Sequence, residues 1–160
     1  MGQSKTKLLS GRSKAYMVSE PSTSPSAERA SDPPEMWMET ATITSAAAAT
    51  AVTLLSNAKV GTLRKPYLWG YIAKVDGATD WATTATVKIQ TPEVSPVDFV
   101  TFAVAGMTGN AVLVPGSSNV THADAYSEGS GGSVGYGLQL KGNANGTGSD
   151  FKVTAWGIIR

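Results

Sequence analysis

The chain has 160 residues, a formal net charge of +1, no cysteine and a single histidine, His122. That length fits one domain with a tail. The composition excludes disulfides, thiolate metal sites and cysteine nucleophiles, and one imidazole is too few for a His-rich zinc site or a cupin-type metal cluster within one chain. Charged residues make up only 16% of the chain, below the average of about 25%, so the chain as a whole is not a strongly basic nucleic-acid binder.

Residues 1–35 are polar and rich in Ser and Pro, and Pro21, Pro25, Pro33 and Pro34 break any continuous helix or central strand. Four cations, Lys5, Lys7, Arg12 and Lys14, precede the first acid at Glu20, and the larger apolar side chains are Leu8, Leu9, Tyr16 and Met17. Alone in water such a segment buries too little surface to offset its ordering entropy. It reads as an extended N-terminal arm that needs a partner, with those eight residues as its contact points. The cations are not followed by the long apolar run of a signal peptide. The longest low-charge apolar stretch, Ile43 to Leu55, is too short to cross a bilayer.

From residue 36 to 160 the texture becomes period-2 alternation, the mark of half-buried strands. Met36, Met38, Thr40 and Thr42 alternate with Trp37, Glu39, Ala41 and Ile43, and a second strand is expected over Thr50 to Ser56. In KPYLWGYIAKV the alternation puts Tyr67, Trp69, Tyr71, Ala73 and Val75 on one face, and Asp76-Gly77 turns the chain. Strands follow over Trp81 to Gln90, Val97 to Ala105 and Ala111 to Val114. Residues 116–133 read as a long polar loop, and two more strands, Val134 to Lys141 and Phe151 to Ile158, close the pattern. About eight strands at short spacing predict an all-β fold, an antiparallel β-sandwich of the jelly-roll type behind the arm.

The sequence carries no catalytic signature. There is no G-x-S-x-G elbow and no phosphate-binding P-loop among the glycine-rich segments. The acids of the domain fall mostly in turns, where Asp bonds to its own backbone, and His122 in VTHADAY reads as an exposed loop residue. No enzyme activity, cofactor or metal is expected. The aromatics Tyr67, Trp69 and Tyr71 have only Lys65 and Lys74 near them, too few cations for a base-stacking platform. Core packing or a contact between subunits is expected of them instead, and Trp156, which points away from Val153 and Ala155, is a further candidate for the subunit contact.

The closing segment DFKVTAWGIIR, the Ala/Thr-rich TATITSAAAATAVTLLS, the aromatic KPYLWGYIAKV and the strand TTATVKI resemble small jelly-roll decoration, or cement, proteins of tailed bacteriophage capsids. The resemblance covers about residues 36–160. It implies a structural virion protein on the outer surface of the capsid, bound to the major capsid protein, clamping neighbouring capsomers and forming a homotrimer. The arm would reach adjacent decoration subunits, and no membrane or specific nucleic acid would be bound. Thirty-five extended residues span roughly 100 Å. The alternative is a receptor- or glycan-binding head fibre, spike or tail-tip module on the same fold. Against it, the loops 116–133 and 142–150 contain only Tyr126 as an aromatic.

Overall fold

A computed structural model describes residues 33–81, 86–127 and 131–160. Lys5, Lys7, Leu8, Leu9, Arg12, Lys14, Tyr16 and Met17 lie outside the described residues. Nine strands are present among the described residues: β1 (Glu35–Ile43), β2 (Val52–Leu55), β3 (Pro66–Asp76), β4 (Thr86–Gln90), β5 (Asp98–Ala103), β6 (Val112–Leu113), β7 (Val120–His122), β8 (Leu138–Gly142) and β9 (Asp150–Ile159). Two one-turn helices, α1 (Asn57–Val60) and α2 (Asp124–Ser127), and a 3₁₀ turn at Ser45–Ala47 connect them.

The strands form two antiparallel sheets, β1-β9-β3-β6 and β2-β8-β4-β5-β7. Without β7 these orders place the last strand between the first and the third, and the eighth between the second and the fourth. That is the double Greek key of a jelly roll, so the expected fold class is the observed one. β7 is an added edge strand beside β5, paired over Val100–Phe102. The segment 116–133, expected to be a loop throughout, in fact holds β7 and α2. Its Val120 packs on the core and its polar composition hides the short elements.

Alternation explains β1 and β9. In β1, Trp37, Ala41 and Ile43 are buried while Met36, Met38, Thr40 and Thr42 face outward. In β9, Phe151, Val153, Ala155 and Gly157 face the core. Gly157 has a steric reason: a Cβ there would overlap the carbonyl oxygen of Tyr67 on β3. The second strand is shorter than the alternation predicts. Thr50 is taken into a turn, its amide donating to the Ala47 carbonyl at 2.8 Å, and Ser56 caps α1 by accepting the amide hydrogen of Lys59 at 3.2 Å.

β3 departs from simple alternation. Its register against β9 shifts between Leu68 and Gly70, leaving Trp69 as an extra residue. A bulge of one residue exchanges the two faces beyond it. Leu68 therefore points inward before the bulge, and Tyr71, Ala73 and Val75 point inward after it. The expected single aromatic face is corrected: Tyr67 and Trp69 lie outside, and Tyr71 is fully buried in the core.

Between the sheets Phe102 meets Tyr71 edge-on at 5.2 Å and Phe151 at 5.3 Å, and Phe151 meets Trp81 at 6.1 Å. This aromatic chain joins β5 of the second sheet to β3 and β9 of the first. Phe102→Ala removes its middle link and should cost about 3–5 kcal/mol. The expected outcome is a melting temperature lower by roughly 10 °C, read by circular dichroism.

Candidate interaction surface

The outer face of the first sheet follows from register. Row by row, Met36 lies beside Ile158 and Tyr67, Met38 beside Trp156 and Gly70, Thr40 beside Thr154 and Ile72, and Thr42 beside Lys152 and Lys74. Val112 of β6 pairs with Lys74 at the far edge. Met36 is 73% exposed, Met38 69%, Trp69 55%, Val112 56% and Ile72 48%. Single exposed apolar residues are ordinary, but a contiguous group on one sheet face marks a contact surface.

The bulge builds this surface. It turns Trp69 outward, and Gly70 beside it leaves room for the Trp156 indole, which a Cβ at position 70 would overlap. Trp156 therefore lies over Gly70 of β3, half-buried, and opposite Met38 in register. At the arm-proximal end Arg160 stacks on the Tyr67 ring at 4.2 Å. Arg64 ties that end together: its guanidinium donates to the carbonyls of Ile159 (2.9 Å) and Pro33 (3.3 Å) and pairs with Glu35 at 3.4 Å. At the other end Lys74 pairs with Asp76 at 2.6 Å, which holds the Asp76 carboxyl below its usual range.

Of the four residues proposed from sequence for a subunit contact, the structure brings Tyr67, Trp69 and Trp156 to this face. Tyr71 is withdrawn from it, because its ring is buried within the same subunit. Met36, Met38, Ile72 and Val112 were not singled out. Two methionines at alternate positions opposite a buried Trp37 were the signal, and Gly70 within a strand was the hint of a bulge.

The outer face of the second sheet is different. It presents Thr86, Lys88, Thr101, Thr121, Gln139 and Lys141, with Lys88 paired to Asp98 at 2.6 Å. A shallow depression of about 190 Å³ lies over Thr86, Lys88, Gln90 and Lys141. Another of about 280 Å³ lies between Leu55, Asn57, Pro92 and Leu138. Among the described residues no group of three metal-binding side chains comes together, and no helix is long and apolar enough to cross a membrane.

His122 is not the exposed loop residue its neighbours suggest. It ends β7, half-buried, with Nε2 2.8 Å from the Tyr71 hydroxyl and its ring stacked on Tyr126 at 4.3 Å. Burial, with a smaller contribution from Tyr126, pushes the Tyr71 phenol up to about 12, and burial lowers the His122 pKa. The Tyr71 hydroxyl and His122 Nε2 share this hydrogen bond, the tautomer of the ring setting which of them donates. Tyr126 in turn donates to the Trp69 carbonyl at 3.4 Å in an exposed bond, so the cluster reaches the bulge.

No protein family, curated protein or solved structure matches the chain.

The His122 shift has a sign. The free imidazole titrates near 6.5 and the folded one lower, so the unfolded chain takes up the proton first as pH falls. This contribution to stability is complete above about pH 6.5 and is lost progressively below it. His122→Gln should show a smaller fall in urea midpoint between about pH 7.5 and pH 5.5 than the wild type.

Proposed function

We propose that the protein is a structural subunit of a virion, a capsid decoration or cement protein on the outer surface of a phage head that clamps neighbouring capsomers. The observation that supports this reading is the apolar outer face of β1, β9 and β3, exposed at Met36, Met38, Trp69 and Ile72. Such a face is stable in solution at a cost and gains when an assembly covers it. It also adjoins Pro33, where residues 1–32 join the sandwich.

On this reading the sandwich is the rigid head and the arm supplies reach. Lys5, Lys7, Arg12 and Lys14 are electrostatic contacts, and Leu8, Leu9, Tyr16 and Met17 are apolar anchors on the major capsid protein or a neighbouring decoration subunit. Each contact is modest. Repetition over a lattice makes the sum strong, because every further contact forms at high effective concentration.

The test is the copy number of this chain in purified particles relative to the major shell protein, by quantitative mass spectrometry. Hundreds of copies in simple ratio to the shell are expected. A handful per particle would transfer the reading to a receptor-binding spike or tail component, and absence from particles would end it.

A further inference from the structure

We infer that the apolar outer face of the first sheet is the seat of a second copy of this chain, packed sheet to sheet about a two-fold axis. The inference rests on reading that face as a docking surface, and not on the virion.

The area is the first reason. Met36, Met38, Trp69 and Ile72 together expose roughly 500 Å², in the upper part of the range for the largest patch on a monomer, about 300–600 Å². With half-buried Tyr67 and Trp156 and a polar border, the face approaches the ~800 Å² that each partner gives to a stable interface. Its layout is that of an interface: two indoles and the Met38 thioether lie mid-face, and among the described residues its charges stand at the ends.

The charges select the partner. Both signs occur at each end, Glu35 with Arg160 at one and Asp76 with Lys74 and Lys152 at the other. A strongly acidic or basic partner would be met by a border of opposite sign. A mixed border is matched by a copy of itself, and the net charge of +1 sets little repulsion between copies.

Geometry selects the two-fold. Two sheets stack face to face about 10 Å apart with side chains interdigitated, and an isologous pair lets the same patch cover itself. A stack of this kind covers Trp156, which lies mid-face. A three-fold ring with these faces turned to its axis would join them along their edges and leave the centre unfilled.

The test is sedimentation equilibrium on the full chain over about 1–100 μM. The wild type should reach twice the chain mass of 16.5 kDa. Met38→Glu and Trp69→Glu should each weaken association by about 30-fold or more, while Thr121→Glu on the opposite outer face leaves it unchanged. Thermal melts taken with the variants check folding. Should Trp69→Glu disturb the bulge, Met38→Glu decides, since that side chain stands in solvent. A single-chain mass throughout, a three-chain mass, or a dimer indifferent to Met38→Glu would overturn the inference. A dimer absent from purified particles would uphold it and end the virion reading. A monomer abundant in particles would do the reverse.

Discussion

The ten residues of β9, Asp150–Ile159, hydrogen-bond on both sides, to β1 along its whole length and to β3 from Pro66 to Asp76. Among the described residues β1 has no other ladder partner in its sheet, so it joins β3 only through β9. Thr40 and Thr154, whose hydroxyls meet at 2.8 Å across that ladder, are 114 positions apart. Pairing of this range closes most of the chain into a loop before it gains a contact, which places the fold among the slower topologies. The same strand carries Phe151 into the aromatic chain and Trp156 onto the outer face, so core and surface are both registered by it.

Much of this was legible in the sequence. Clean alternation from Met36 to Ile43 and from Phe151 to Gly157 marks two strands with their inner and outer residues, because each has one buried face and one that is not. What escaped was set by single residues. The bulge at Trp69 exchanges the faces of β3, and alternation read straight through it assigns Tyr71 to the wrong side. The short β7 and α2 sit in a Gly/Ser-rich segment whose local composition says loop, and only their packing on β5 and β3 makes them regular. His122 was misplaced for the same reason. Its partner, Tyr71, is 51 positions away, and nothing near it in sequence announces the contact.

The two outer faces divide the labour of the molecule. The second sheet offers threonines, lysines and an ion pair to water, and the first adds exposed methionine, tryptophan and isoleucine to its own threonines and its Lys74–Asp76 pair. Both inner faces fill one continuous core, so stability does not require this difference. The Tyr71–His122–Tyr126 cluster reaches the bulge through the Tyr126 hydroxyl, which donates to the Trp69 carbonyl. The apolar face is therefore tied at Trp69 to a side-chain cluster that includes the buried ring of Tyr71.

Arg64 holds Pro33, Glu35 and Ile159 at one corner, where residues 1–32 meet the sandwich. That corner has a mechanical direction. β1 runs antiparallel to β9 with nine paired positions from Glu35–Ile159 to Ile43–Phe151. Tension applied at Pro33 along the strand axis loads all of those rungs together, in shear, whereas tension across the strand opens them one at a time from the Arg64 end. A tether leaving this corner in line with β1 holds against far more force than one leaving at right angles.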